Sequence, residues 1–286
     1  MQTLLEVLQK TAAFFQSKGI ENARLNAELL FAHVLKCKRL DLYLQFERPL
    51  TEAQLDALRP LVRSRAQHEP LQYVLGETQF IDLTLKTDRR ALIPRPETEE
   101  LVELVVSRWK QQHPGSLPLR ILDLGTGTGA IALALLQAFP AAEAVAVDFS
   151  GDALALAQEN AVLNALSDRI SFVESDWIAN VPTDPPFDVV VSNPPYLTEE
   201  ELQTAAPEVR QFEPHAALVA AKNGLADLET IISQALPYLA EGALLACETG
   251  IEQHDALRTH ALNCGFERFE SCPDASGRPR FVVLGR

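Results

Sequence analysis

A glycine-rich loop follows a short apolar stretch near the middle of the chain. It reads DLGTGTG over residues 123–129 and leads into an apolar run from Ala130 that is typical of a helix. Its glycines allow a tight turn and let the backbone approach a ligand closely. The spacing is GxGxG rather than the GxGxxG of dinucleotide-binding loops, and no lysine of the P-loop type follows. The loop therefore predicts a ligand without a required diphosphate, the alternative being a structural turn.

Acidic residues stand at the ends of three successive predicted strands. Asp123 is placed to hold a cationic amine, directly or through a water molecule, and Asp148 to accept the two hydroxyls of a ribose. Asp176 can accept from an adenine amino group, and Trp177 can pack on the ring. A surface acid at a strand end is the alternative for Asp148. Together they suit S-adenosylmethionine better than NAD. The predicted cofactor-binding residues are Asp123, Gly125, Thr126, Gly127, Thr128, Gly129, Asp148, Asp176, Trp177 and Asn193.

A later β-branched run stops abruptly on a polar tetrapeptide. The stretch FDVVVSNPPYL, residues 187–197, reads as a strand buried on both faces, as in a parallel sheet. Pro194 and Pro195 cannot donate to a ladder, so the strand must end by Asn193. On its own, this pattern is equally that of a strand followed by a surface turn.

These motifs lie in a region where short strands alternate with helices. From about residue 97 the pattern predicts a helix over 97–112 and strands at 119–125, 144–148, 170–175, 187–192 and 243–249, with helices from 130, near 152–164 and near 225–238. Another helix and two final strands, near 265–271 and 280–284, complete the pattern. Such alternation predicts an α/β fold with a doubly wound, mostly parallel sheet, which binds ligands beyond the carboxyl ends of its strands.

The first part of the chain has a different pattern. An apolar stripe from Leu4 ends at Gly19, a second follows over residues 22–36, and Thr51 with Gln54 has the form of a capping box. The alternating stretch TQFIDLTLKTD, residues 78–88, then predicts a small hairpin. We therefore predict a helical N-terminal domain over 1–75, a β-hairpin linker over 76–96 and an α/β domain over 97–286.

Charge is distributed unevenly along the 286 residues. The formal net charge is −14, yet residues 1–90 hold 13 Lys and Arg against 11 Asp and Glu, which leaves −16 on residues 91–286. Nucleic-acid binding depends largely on Lys and Arg, so the acidic part is a poor phosphate binder. Four cysteines form no CxxC pair, which predicts reduced thiols and no metal site.

The chain also shows no sign of a membrane association. No apolar run approaches the ~18 residues of a transmembrane helix. The N-terminal stretch is interrupted by Glu6, Gln9 and Lys10, so it reads as an amphipathic helix rather than a signal peptide. We predict a cytoplasmic protein.

The motifs together resemble the PrmC/HemK family of protein-(glutamine-N5) methyltransferases. The resemblance rests on DLGTGTG, VDFS, ESDW and SNPPY, with LIPRPETEELV upstream, and covers almost the whole chain. It implies a class I, Rossmann-like methyltransferase domain with seven strands, S-adenosylmethionine as cofactor and the glutamine in the GGQ loop of class 1 peptide chain release factors as substrate. His215, within FEPHAAL, is a modest departure from the family's pattern. We also expect a monomer that binds no nucleic acid directly.

Given that resemblance, the chemistry of the amide substrate explains why the NPPY residues are needed. An amide nitrogen is a poor nucleophile because its lone pair is delocalised into the carbonyl. Two rigid acceptors, the Asn193 side-chain oxygen and the Pro194 carbonyl, favour the pyramidal nitrogen of the transition state. Tyr196 can lie against the flat amide or hold the loop. The predicted catalytic residues are Asn193, Pro194 and Tyr196, and the predicted substrate-binding residues are Asn193, Pro194, Pro195, Tyr196 and Arg95.

Two segments that contain arginine each have two interpretations. The resemblance places LIPRPETEE, with Arg95, at the substrate and methionine end of the pocket, although Arg95 is equally suited to a structural role. Arg59, Arg63 and Arg65 form either a solvated helix face or a docking surface for an acidic partner protein.

Two other functions share parts of this pattern. NPPY also occurs in methyltransferases that act on adenine or guanine amino groups of nucleic acids. The negative charge of residues 91–286 and the lack of a separate basic recognition domain argue against that activity. A cofactor-binding module without turnover is disfavoured by the presence of both Asn193 and the complete glycine loop.

Overall fold

The computed structural model describes residues 2–115 and 119–286, and the chain divides into two compact units. The first comprises Met1–Glu77 together with Ala206–Phe212, and the second comprises Thr78–Ala205 and Glu213–Arg286. The sequence prediction divided the chain at residues 75 and 96 and did not group the segment 206–212 with the N-terminal helices. No helix among the described residues is long and apolar enough to cross a bilayer.

The first unit is built from helices around its own core. Its elements are α1 (Leu4–Ser17), α2 (Ala23–Leu35), a 3₁₀ helix (Arg39–Leu44), α3 (Glu52–Ala66) and α4 (Leu71–Leu75). Thr3 and Thr51 form capping boxes at the starts of α1 and α3, so the predicted box at Thr51 and Gln54 is confirmed. The apolar stripes of these helices enclose a core that includes Leu8, Phe15 and Phe31.

Two buried charged residues hold the helices of this unit together. Glu28 accepts hydrogen bonds from Arg24, Arg39 and Tyr43. Arg65 donates to Asn26 Oδ1 at 2.7 Å and to Glu208 Oε1 at 2.8 Å. Because buried charges need partners, the Arg65–Glu208 pair joins residues 206–212 to the N-terminal helices.

The second unit is a layered α/β structure. A separate two-stranded hairpin of β1 (Glu77–Phe80) and β2 (Leu83–Lys86) lies at its N-terminal boundary. The main sheet comprises β3 (Arg120–Leu124), β4 (Glu143–Asp148), β5 (Ile170–Glu174), β6 (Phe187–Ser192), β7 (Leu239–Glu248), β8 (Arg268–Pro273) and β9 (Pro279–Gly285). The helices are α5 (Pro96–Gln112), α6 (Ala130–Ala138), α7 (Gly151–Leu163), α8 (Glu199–Thr204), α9 (Pro207–Phe212, part of the first unit), α10 (Ala221–Gly224), α11 (Ala226–Ala235) and α12 (His254–Asn263).

Strand order in the sheet is β5-β4-β3-β6-β7-β9-β8, and β9 runs antiparallel to both of its neighbours. The remaining pairings are parallel. The prediction of a doubly wound, mostly parallel seven-stranded sheet is confirmed. The strand order reverses at β3, which lies between β4 and β6, and ligands of such sheets bind at that switch point.

Most predicted elements lie where the pattern placed them, with small differences at their ends. The strand predicted over 243–249 begins earlier, at Leu239, and the helix predicted to 238 ends at Ala235 in a 3₁₀ turn. The short helices α8 and α9 carry no long apolar period and were not predicted.

Candidate active site

A cavity of about 300 Å³ lies beyond the carboxyl ends of β3, β4 and β6 in the second unit. The strand ends bring together side chains that are far apart in the sequence. Its lining includes the predicted residues Gly125, Thr126, Gly127, Thr128, Asp148, Asp176, Trp177, Asn193 and Pro195. Asp123, Gly129, Pro194, Tyr196 and Arg95 are placed behind or beside this lining rather than in it.

The glycine loop turns sharply between β3 and α6. Gly125 has φ +70°, and a Cβ there would lie 3.4 Å from the Trp177 ring. Gly129 has φ +82° at the N-cap of α6, and a Cβ there would lie 3.2 Å from the Cβ of Ala157. Both positions favour glycine, because of their backbone conformation and because neighbouring atoms lie close. The shape of the glycine loop therefore depends on the absence of side chains at these positions.

Asp123 lies entirely buried beneath this loop. Its Oδ2 accepts from the Thr126 hydroxyl at 2.6 Å and from the Ala132 backbone N–H at 3.2 Å. Its Oδ1 has no hydrogen-bond partner among the described residues. Burial raises the pKa of Asp123 to about 7, and the neighbouring Asp148 adds to the rise. An unpartnered buried carboxylate oxygen is an acceptor for a cation or a water molecule.

Asp148 ends β4 and is oriented by two backbone donors. Oδ2 accepts from Gly127 N at 2.9 Å and Oδ1 from Ser150 N at 3.0 Å. Burial raises the pKa of this carboxyl group, against the lowering effect of those bonds. Each oxygen keeps further lone pairs for a ligand in the cavity.

Aromatic side chains and a second acid complete this end of the cavity. Trp177 has φ +48° and donates from its indole to Asp227 on α11, while Asp176 is exposed. Phe149 lines the cavity and is 62% exposed. The sequence reasoning missed Phe149 and Asp227. Phe149 follows Asp148 directly and could have been noticed, whereas Asp227 lies far along the chain and carries no local signal.

The NPPY segment follows β6 as predicted, since the strand ends at Ser192. Asn193 Nδ2 donates to the Thr98 hydroxyl at 3.0 Å. The Tyr196 hydroxyl donates to Glu248 Oε1 at 2.9 Å. The Asn193–Thr98 bond uses one of the two Nδ2 hydrogens and turns the amide so that its nitrogen, not its oxygen, meets Thr98.

The backbone of this segment is held as firmly as its side chains. The Tyr196 carbonyl accepts from Gln253 Nε2 at 3.0 Å. A Cβ at Gly224 would lie 2.1 Å from the same carbonyl oxygen, so the two chain segments pack backbone to backbone. A side chain at Gly224 would therefore displace the segment that carries Asn193.

Thr98 and Glu248 are functional candidates that the sequence reasoning missed. The Thr98 hydroxyl donates to Glu248 Oε2 at 2.8 Å, and Glu248 is 1% exposed. Burial raises the pKa of Glu248, and its hydrogen bonds from Thr98 and Tyr196 oppose the rise. Thr98 lies within LIPRPETEE, which the resemblance placed at the substrate and methionine end of the pocket, but it was not singled out there. Glu248 ends a strongly apolar strand, and such a buried acid was an available signal.

Arg95 precedes α5 and is paired within the protein. Its Nη2 lies 2.5 Å from Oε1 of the buried Glu213, whose Oε2 also accepts from Ile93 N at 3.3 Å. This contact agrees with the structural alternative for Arg95, and its predicted role at the substrate stays a prediction. His215 is exposed and lies 3.1 Å from Glu199. The described residues contain no group of three or more His, Cys, Asp or Glu side chains placed to hold a metal ion.

Comparisons with known proteins agree with this architecture. Residues 6–76 match the family model described as "PrmC N-terminal domain", and residues 103–246 match "Methyltransferase small domain". The chain is 44% identical over 250 residues to a release factor glutamine methyltransferase of Chlorobaculum tepidum, covering 86% of this chain and 85% of that protein. It is 40% identical over 274 residues to the protein of the same name from Escherichia coli, covering 96% of both.

A solved structure shows the same fold at low identity. The methyltransferase from Pyrococcus furiosus superposes with a TM-score of 0.53 at 15% identity, covering 83% of this chain and all of that one. At this identity the likeness concerns the fold alone.

Proposed function

The chain belongs to the release factor glutamine methyltransferases, and from that premise we propose how its residues carry out the reaction. The enzyme transfers a methyl group from S-adenosylmethionine to the side-chain amide nitrogen of a glutamine in a peptide chain release factor. We assign the substrate glutamine to the GGQ loop of class 1 release factors. The N-terminal helical domain is assigned to docking of that substrate.

The cavity offers acceptors and apolar surfaces that match the parts of S-adenosylmethionine. The glycine loop offers a surface without side chains, Asp148 offers lone pairs for ribose hydroxyls, and Phe149 and Trp177 offer apolar faces for adenine. Asp123 Oδ1 is an acceptor for the ammonium of the methionine part. Bound there, the cofactor supplies an electrophilic methyl group on a sulfonium centre.

The NPPY segment prepares the amide nitrogen for attack. Asn193 Oδ1 and the Pro194 carbonyl accept the two N–H bonds of the substrate amide and aim its lone pair at the methyl group. Since the planar amide gains less from these acceptors than the pyramidal transition state, they lower the barrier. The nitrogen forms a bond to the methyl carbon as the bond from that carbon to the sulfonium sulfur breaks, S-adenosylhomocysteine leaves, and the proton lost by the nitrogen passes to solvent. The observation that carries this assignment is the hydrogen bond from Asn193 Nδ2 to Thr98, because it directs the amide nitrogen to the protein and so presents the oxygen as the acceptor.

The assignment is tested with intact protein substrates. Purified enzyme, S-adenosylmethionine and a folded release factor should give one added methyl group on the GGQ glutamine by mass spectrometry of tryptic peptides. The Asn193→Ala variant should give little product in the same time. Methylation of a DNA or RNA oligonucleotide, with none on the release factor, would overturn the assignment in favour of a nucleic-acid methyltransferase.

We further propose that the enzyme acts as a monomer in the cytoplasm and contacts no nucleic acid directly. The balance of −16 on residues 91–286 supports the last point, because phosphates are repelled by an acidic surface. Light scattering of the purified protein measures its oligomeric state. A gel-shift assay with RNA, in the absence of release factor, measures whether it binds nucleic acid.

A further inference from the structure

Three separate elements meet at one chain of hydrogen bonds in the wall of the cavity, which Thr98 and Asn193 line. Glu248 ends β7, Thr98 lies in the first turn of α5, and Asn193 follows β6. The Thr98 oxygen lies 2.8 Å from Glu248 Oε2 and 3.0 Å from Asn193 Nδ2. None of these contacts is local in sequence, so tertiary packing alone brings them together.

The direction of each hydrogen bond in this chain follows from the carboxylate at its end. An ionised carboxylate only accepts, so the single hydroxyl hydrogen of Thr98 must point to Glu248. The Thr98 oxygen can then only accept from its other neighbour. An asparagine amide can present either its oxygen or its nitrogen, and only the nitrogen donates. The chain therefore selects the amide orientation in which Nδ2 faces Thr98.

The same carboxylate also holds the other end of the NPPY segment. Its Oε1 accepts from the Tyr196 hydroxyl, so each oxygen of Glu248 receives one hydroxyl from a different element. The charged groups that face Glu248 are Arg280 of β9 and Glu97 of α5. Arg280 also lies over the Tyr196 ring, with its guanidinium carbon 5.8 Å from the ring centroid. Glu248 thus holds both Tyr196, by a direct hydrogen bond, and Asn193, through Thr98.

We propose that Thr98 and Glu248 are positioning residues that fix the polarity of the Asn193 side chain, so that its oxygen and not its nitrogen meets the substrate amide. This inference rests on the proposed role of Asn193 as an acceptor. With the opposite orientation, Nδ2 would face the N–H bonds of the substrate, donor against donor. Neither residue is expected to touch the reacting atoms.

Thr98→Val is the direct test because it keeps the shape of the side chain and removes the hydroxyl. We expect kcat with a folded release factor to fall by about 10- to 100-fold, while the Kd for S-adenosylmethionine stays within about threefold. Thr98→Ser restores the hydroxyl and should recover most of the lost kcat. A matched control, Thr230→Val, removes a helix hydroxyl that bonds only the Ala226 carbonyl and should leave kcat unchanged.

A pH profile separates positioning from simple support of the fold. In the wild type, protonation of Glu248 allows it to donate to Thr98, which can then donate to Asn193 Oδ1 and reverse the amide. At saturating cofactor, kcat should therefore fall in one step on the acid side. Glu248→Gln should have a lower kcat that no longer shows that step, because its amide does not titrate. Glu97 and Arg280 are present in both proteins, so their own effects on the pH profile cancel when the two profiles are compared.

The outcomes distinguish this inference from the function on which it rests. A wild-type enzyme that leaves the release factor unmodified would refute the function itself. A Thr98→Val enzyme that is folded and as active as wild type would refute only the positioning role. A Thr98→Val enzyme with lowered kcat and cofactor affinity that serine does not restore would also overturn it, because packing would then explain both losses.

Discussion

Ser192 pairs with Cys247 across the parallel strands β6 and β7, so the residues that follow them lie side by side at the carboxyl ends of these strands. Those residues are Asn193 and Glu248. The register of one strand pair thus places the proposed acceptor of the reaction beside a buried carboxylate. A shift of one residue in either strand would turn one of the two side chains to the other face.

Replacing Asn193 by alanine should lower kcat while sparing cofactor binding. We expect a loss of about 10²–10³ in kcat, by analogy with removal of one preorganised group of an oxyanion hole. The affinity for S-adenosylmethionine should stay within a few fold, since the glycine loop and Asp148 are intact. Single-turnover kinetics and calorimetry measure the two quantities. Turnover near the wild-type rate would contradict the acceptor mechanism.

Asp148→Asn should weaken cofactor binding. The carboxylate is oriented by Gly127 and Ser150, and charge-assisted hydrogen bonds to a ribose contribute about 1.5–3 kcal/mol. Titration calorimetry with S-adenosylhomocysteine should show a correspondingly raised Kd. The exposed Asp152, four residues on, provides the control as Asp152→Asn. Equal affinities for wild type and Asp148→Asn would remove Asp148 from the ribose site.

Cofactor affinity should rise with pH through the neutral range. Burial holds the pKa of Asp123 at about 7 in the free protein, above its ordinary value of 3.8. The cofactor's ammonium favours the ionised form, so below pH 7 binding must release a proton from Asp123. Affinity should fall roughly fivefold from pH 7 to about pH 6. Calorimetry in buffers of different ionisation enthalpy detects the proton, and Asp123→Asn should bind without releasing it. Pairing of the amine with another group would leave the proton count of that variant unchanged.

Loss of Glu208 should destabilise the N-terminal unit. Arg65, with a side chain only 6% exposed, would keep its charge and lose a carboxylate partner, at a cost of about 1.5–3 kcal/mol in the free energy of unfolding. Urea denaturation of Glu208→Gln measures this, with the exposed Glu47→Gln in the same unit as control. An unchanged midpoint for Glu208→Gln would show that Arg65 finds sufficient partners in Asn26 and the Glu69 carbonyl.

The same pair has a predictable dependence on pH. Burial is the largest single effect on the pKa of Glu208 and raises it. The hydrogen bond and charge of Arg65, a backbone hydrogen bond and the neighbouring His68 together outweigh burial, so the pKa lies below the ordinary 4.5. A depressed pKa contributes stability that is fully present above the unfolded value and is lost as the pH falls through the folded value. The stability difference between wild type and Glu208→Gln should therefore be constant above about pH 5 and shrink in more acidic solution. A stability difference between the two proteins that stays constant down to pH 3 would contradict this prediction.

Local patterns predicted the sheet and much of the site, because both are encoded by short segments. The glycine loop, Asp148 and Asn193 each follow an apolar strand directly, so strand prediction also predicts that they share one edge. Thr98 and Asp227 could not be placed in this way. Each lies on a helix, and its partner is decided by how that helix packs on the sheet. The pairing of Arg65 with Glu208 spans 143 residues and has no local signature.

That pairing also bears on how this protein can be cut and recombined. Because Ala206–Phe212 belongs to the same compact unit as Met1–Glu77, the N-terminal unit is formed by two separate segments of the sequence. An exchange of residues 1–77 with a relative would place the relative's residue at the position of Arg65 opposite the native Glu208. A chimaera that keeps each unit intact needs two junctions more, one on either side of residues 206–212.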